Sequence, residues 1–146
     1  MRLTILLDTN VLIYAFSEGA VHRRWAIDTI RDAVVAEGAA VNAVSLAEIC
    51  VGDAAPETVA DRIRLWGVEL LDVPAAAAEV CAVAYRDYRN RRKRESGKDA
   101  PALPLPDFFI GAHAHIMGWT LATVDVGRYK AYFPKVRLKA PRVLNR

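Results

Sequence analysis

The sequence has few of the residues that mark several common functions. Among 146 residues there are two cysteines and three histidines. Cys50 and Cys81 stand singly in apolar surroundings, with no metal-binding spacing between them. That pattern predicts two reduced, buried thiols in a cytoplasmic protein and argues against a disulfide framework. No apolar stretch approaches the roughly 20 residues of a membrane span. The first apolar run, after Arg2, is cut short by Asp8, so no signal peptide is expected. GxGxxG and GxxxxGK[ST] are both missing, which leaves no nucleotide cradle. No Ser/His/Asp set with a strand–turn–helix context is found, and Ser45 fits better as a helix cap. His22 is isolated, and His113 and His115 are two apart, so surface or partly packed roles are expected for all three. There is no repeat, low-complexity tract or linker, and the length suits one domain over residues 1–146.

What is present is a globular composition, 53% hydrophobic and 25% charged, with a net charge of +3. The positive charge is unevenly spread. Arg86, Arg89, Arg91, Arg92, Lys93 and Arg94 crowd one stretch, and a second basic set runs from Arg128 to Arg146. Either could contact phosphates, and either could be an ordinary solvated face.

Strand and helix patterns alternate. Strands are expected at Leu3–Leu7, Ala39–Val44, Val68–Val73, Thr120–Val124 and Val136–Leu138. Between them lie helical patterns at Val11–Phe16, His22–Glu37, Ser45–Cys50, Pro56–Gly67, from Pro74 into the basic cluster, and Phe108–Met117. The stretch 96–106, with three prolines, reads as a loop. Such alternation implies an α/β domain with a parallel sheet between helical layers.

The run Leu3-Thr4-Ile5-Leu6-Leu7 ends in Asp8-Thr9-Asn10. A strand buried on both faces that stops at a carboxylate puts that carboxylate at the sheet edge, where ligands bind in open parallel sheets. Three more acidic residues sit at equivalent places. Glu48 is on the helix after the second strand, Asp107 follows Pro106 at a helix start, and Asp125 follows the fourth strand. Each has a bland explanation. Asp8 can cap a helix, Glu48 stands three residues after Ser45 as in a capping box, Asp107 can complement a helix dipole, and Asp125 can serve a turn. Together, with no matching Lys, Arg or thiolate in the same segments, they form the ligand set of a hard divalent cation, Mg2+ or Mn2+. Such an ion activates a water and neutralises charge on a leaving oxygen.

A family resemblance adds to these readings. Ile5-Leu6-Leu7-Asp8-Thr9-Asn10-Val11-Leu12-Ile13, Val44-Ser45-Leu46-Ala47-Glu48-Ile49, the stretch from Leu105-Pro106-Asp107 to Ala114, and Thr120-Leu121-Ala122-Thr123-Val124-Asp125 resemble, in order and spacing, the four motifs of PIN-domain proteins. Within that group they resemble VapC-type toxins of toxin–antitoxin systems. The resemblance implies a three-layer α/β/α domain with a five-stranded parallel sheet. It also implies Mg2+- or Mn2+-dependent RNA cleavage, and a small antitoxin partner that blocks the site. Asp8 and Asp107 carry over as central metal ligands and Glu48 and Asp125 as further members of the cluster. Asn10 and Thr123 match polar positions that hold the carboxylates or a water. A homodimer is implied as well.

Two departures stand out. Many relatives have another acidic residue shortly after the fourth motif, where this chain has Gly127-Arg128-Tyr129, so one metal ion is implied more firmly than two. The segment Tyr85–Pro106 is long and Arg-rich, and Arg89, Arg92 and Lys93 are candidates for holding an RNA backbone. Tyr85 and Tyr88 could stack on bases, although helix packing is the commoner use of such residues. Two other readings stay open. One is a catalytically weak RNA- or partner-binding module. The other is an aspartyl-phosphate enzyme using Asp8, which Asn10 disfavours because an Asp is needed there.

Overall fold

The computed structural model describes residues 3–96 and 103–142. Its elements, in chain order, are β1 (Ile5–Leu7), α1 (Thr9–Phe16), α2 (Arg23–Ala36), β2 (Ala39–Asn42), α3 (Ala43–Val51), a 3₁₀ turn (Pro56–Thr58), α4 (Val59–Leu65), β3 (Glu69–Leu71), α5 (Ala77–Ser96), α6 (Leu105–Met117), β4 (Thr120–Ala122), α7 (Val126–Tyr132) and β5 (Leu138–Lys139). The five strands form one sheet in the order β3-β2-β1-β4-β5, every neighbouring pair parallel. The expected α/β/α architecture with a five-stranded parallel sheet is what the chain adopts.

Alternate residues along β1 feed opposite layers, as pleating requires. Ile5 and Leu7 join a core with Val11, Leu12, Ile30, Val41 and Ile63. Leu6 joins the other core, with Phe108, Ile110, Leu121, Tyr129 and Phe133. That double burial is why β1 reads as an unbroken apolar run and not as an alternating one. Gly111 lets α6 lie against the Phe133 ring, which a Cβ there would strike.

The chain adds β2 and β3 on one side of β1, then returns to add β4 and β5 on the other. The reversal opens a crevice beyond the carboxyl ends of β1 and β4. Asp8 leaves β1 at that edge, and Thr123 and Asp125 leave β4 beside it.

Several boundaries differ from expectation. α3 starts at Ala43, and its cap is Asn42, whose Oδ1 accepts from Ser45 N at 3.1 Å. Ser45 is therefore inside the first turn, its buried Oγ without a hydrogen-bond partner. The capping box with Glu48 is not formed. α6 starts at Leu105, before the expected Phe108, and ends at Gly118, whose φ of 67° only glycine adopts easily. The α7 helix was not expected, and β5 begins two residues later than its apolar pattern suggests. Part of the expected 96–106 loop, residues 97–102, lies outside the described residues. Among the described residues, no helix is long and apolar enough to cross a membrane.

Candidate active site

Asp8 is the N-cap of α1 and only 3% exposed. Helix capping and a place at the ligand edge are thus combined in one carboxylate. Oδ1 accepts from Thr9 N at 2.8 Å. Oδ2 accepts from Thr123 Oγ1 at 2.8 Å, Tyr129 Oη at 2.9 Å and Asn10 Nδ2 at 3.3 Å. Burial raises the Asp8 pKa from its ordinary value of 3.8, and these donors oppose the rise by stabilising the anion. A carboxylate has about four acceptor positions, two on each oxygen. Oδ2 is saturated, and Oδ1 keeps one lone pair for a further partner.

Asn10 and Thr123 both donate to Asp8. Thr123 Oγ1 donates to Asp8 and accepts from Asp125 N at 2.9 Å. Asn10 Oδ1 accepts from Val124 N at 3.3 Å, which ties the first turn of α1 to the end of β4.

Glu48 lies on an exposed part of α3, but its carboxylate turns inward. Oε1 accepts from Thr9 Oγ1 at 2.9 Å. Desolvation raises the Glu48 pKa above its ordinary 4.5, the Thr9 hydrogen bond opposes that, and the nearby Asp107 and Asp8 carboxylates raise it further. A cation among these carboxylates would relieve their mutual repulsion.

A basic side chain from outside the four acidic segments joins the carboxylates. Arg128, on the unexpected α7, pairs through Nη2 with Asp125 Oδ2 at 2.8 Å and through Nη1 with Asp107 Oδ2 at 3.6 Å. It is half-enclosed, and its buried Nε has no hydrogen-bond partner. Burial works against its charge, but Asp125, Asp107 and Asp8 outweigh that effect and hold it cationic. Tyr129, next in the chain, is the second residue that sequence reasoning missed. Its hydroxyl pKa is raised well above 10, by burial first and then by Asp8, so it stays a donor. The signal for both was available as helical spacing, since Arg128 is three residues after Asp125 and Tyr129 shares a periodic pattern with Tyr132 and Phe133.

All four predicted carboxylates therefore meet at one edge, delivered by four separate segments. Among the described residues, no three carboxylate, imidazole or thiolate groups are grouped so that they could hold a metal ion. The donor set nevertheless fits a hard cation with few direct protein ligands. Mg2+ typically takes one or two carboxylates and keeps its waters, and the like charges of Glu48, Asp107 and Asp8 favour a cation among them.

The basic candidates are on α5. Arg89 and Lys93 line a cleft of about 400 Å3 with Arg86 and Asn90, and Arg92 does not line it. Tyr85 Oη donates to Leu103 O at 3.1 Å, and Leu103 N donates to Tyr88 Oη at 3.0 Å. Both rings also pack on Phe108. The tyrosines pin the entry to α6, and with it Asp107, and are used in packing. His113 is fully buried, against expectation, with Nδ1 at 3.2 Å from Asn42 Nδ2. Because Asn42 Oδ1 is occupied by Ser45 N, its Nδ2 faces the ring and Nδ1 must accept. Burial lowers the His113 pKa from 6.5. Cys81 is buried, which pushes its thiol up to about 11, whereas Cys50 is only half-buried.

The fold resembles those of several solved structures. One is VapBC2 from Rickettsia felis bound to a DNA fragment from its promoter, with TM-score 0.65 and 20% identity, covering 94% of this chain and 98% of that one. Another is DNA-bound VapBC from Salmonella typhimurium, with TM-score 0.66, 20% identity and the same coverage. A third is a toxin–antitoxin complex from Klebsiella pneumoniae, with TM-score 0.63 and 24% identity over 91% of this chain and 95% of that one. No curated protein sequence matches the chain. The family model for the PIN domain matches residues 5–134, and the chain belongs to that family.

Proposed function

We propose that this protein is a metal-dependent endoribonuclease and the toxin of a toxin–antitoxin pair. The observation that carries the reading is the meeting of Asp8, Glu48, Asp107 and Asp125 at the carboxyl edge of a PIN-domain sheet, linked through Thr9, Thr123 and Arg128. Asp8 and Asp107 would hold Mg2+ or Mn2+, with Glu48 and Asp125 completing its surroundings directly or through water. When bound, the ion supplies a more acidic attacking water and neutralises developing charge. Hydrolysis joins a water oxygen to phosphorus, breaks one P–O ester bond, and returns a proton to the leaving oxygen.

The chain's own residues prepare that step. Thr9 N, Thr123 and Tyr129 donate to Asp8, which favours its anion and fixes its direction. Asn10 and Thr123 hold the β1 and β4 ends together. Arg89, Arg92 and Lys93 would bind the RNA backbone, adding affinity without choice of sequence. The structural neighbours include toxin–antitoxin complexes, which supports a small antitoxin partner. A homodimer and a cytoplasmic location belong to the same reading.

The test uses purified, partner-free protein and total RNA. Cleavage is expected with Mg2+ or Mn2+, and EDTA, Asp8→Asn or Asp107→Asn should each abolish it in folded protein. Cutting that survives either substitution would sink the ligand assignment. Metal-independent RNA binding without cleavage would instead support a binding module, a reading that the Arg128 pairing with Asp107 and Asp125 favours.

A further inference from the structure

We infer that Arg128 is the second cation of this site, filling the role that another divalent ion would otherwise take and presenting a guanidinium to the RNA phosphate. The inference rests on the metal-dependent reading proposed for the site. Three observations carry it. Arg128 reaches two of the four carboxylates from one side chain, Asp125 at 2.8 Å and Asp107 at 3.6 Å. It stands at 18% exposure, where its attraction to carboxylates is screened less than on an open surface. Its donors are also under-used. A guanidinium has five N–H groups, and the two ion pairs engage one N–H each on Nη1 and Nη2, which leaves the second hydrogen of each amino group for a further acceptor.

The chemistry follows from charge. Asp107 is shared between two environments, Glu48 on one side and Arg128 on the other. With Arg128 the four carboxylates carry a formal charge of −3 instead of −4, so one divalent ion leaves only −1 and a second divalent ion would overshoot to +1. An arriving phosphodiester is an acceptor for the planar fork of Arg128, which suits phosphate oxygens. Arg128 acts on substrate charge and on the carboxylates, and it moves no proton.

The test counts ions on the whole purified protein, stripped of metal and titrated with Mn2+ while free Mn2+ is followed by electron paramagnetic resonance. Wild type should bind one Mn2+ per chain. Arg128→Met, which keeps an apolar stem, should take up a second Mn2+ or bind its one ion at least about tenfold tighter, because a like charge next to a divalent ion is removed. Arg128→Lys, which retains the charge, should stay at one ion within about threefold of wild-type affinity by the same argument. Circular dichroism verifies that both variants are folded, and either alone tests the idea against wild type. Two ions on wild type would overturn the inference, as would Arg128→Met with unchanged stoichiometry and affinity, or Arg128→Lys behaving as Met. Wild type that binds no Mn2+ would instead refute the metal-dependent reading itself, and this inference with it.

Discussion

Replacing Tyr129 by Phe removes one oxygen from the site and nothing from the ring packing. Tyr129 is completely buried, and its hydroxyl donates to Asp8 Oδ2 at 2.9 Å. A hydrogen bond to a charged group contributes about 1.5–3 kcal/mol, and a neutral one about 0.5–1.5 kcal/mol. The loss should therefore depend on the charge of Asp8. Burial raises the folded-state pKa of Asp8 above 3.8, and removing a donor to the anion raises it further. Well below pH 3.8, Asp8 is protonated in both folded and unfolded chains, and only the neutral bond is removed. As pH climbs through the folded pKa, the anion forms and the substitution costs more. The cost reaches its plateau above the folded pKa of the variant. At pH 7 a loss of about 2 kcal/mol lowers the melting temperature of a chain this size by about 4–8 °C. Urea unfolding of both proteins from pH 4 to pH 8 measures the difference directly. Adding Asp8→Asn should remove most of its pH dependence. A Tyr129→Phe cost that is the same at every pH, or under about 0.5 kcal/mol at pH 7, would refute the hydrogen-bond account.

Gly111→Ala should destabilise the fold by about 1–3 kcal/mol, because Phe133 must give way, and thermal melting will show it. Asn42→Ala removes the α3 cap and the His113 partner together, and should cost about 1–2 kcal/mol in urea unfolding. His113 binds its proton less readily folded than unfolded, so acid favours the unfolded chain. Its contribution to stability is intact above pH 6.5 and declines as pH falls below it, which His113→Phe should flatten in the same assay. Arg89→Ala combined with Lys93→Ala should weaken RNA binding at all sequences alike. The double change should reduce the salt slope by about 0.7 for each phosphate that no longer has a basic partner, as fluorescence anisotropy across a salt series can measure.

Much of the site could be read from one-dimensional patterns because each carboxylate lies where a strand or helix boundary is written locally. Leu6-Leu7-Asp8 and Leu121-Ala122-Thr123-Val124-Asp125 both pass from buried strand to polar edge within a few residues, and β1 and β4 are neighbours. The misses arose where tertiary packing chose among equals. Asn42 and Ser45 are both good caps, and Asn42 prevails because its amide also meets His113 across the sheet edge. His113 is buried for the same reason, which no local spacing reveals. In the sequence Arg128 is one member of a basic tail. Its role depends on α7 folding back so that a residue near the C-terminus faces carboxylates from α6 and the end of β4.

The order of the strands also bears on how the protein is made. Asp8 is oriented by Thr123 and Tyr129, which follow it by 115 and 121 positions. During synthesis the first carboxylate leaves the ribosome long before the hydroxyls that aim it. β1, at the middle of the sheet, must wait for β4 to arrive on its open side. A nascent chain halted just before that strand would carry Asp8, Glu48 and Asp107 but no finished centre. Timing is thus built into the topology, and a half-made chain has no assembled carboxylate edge until its last third has emerged.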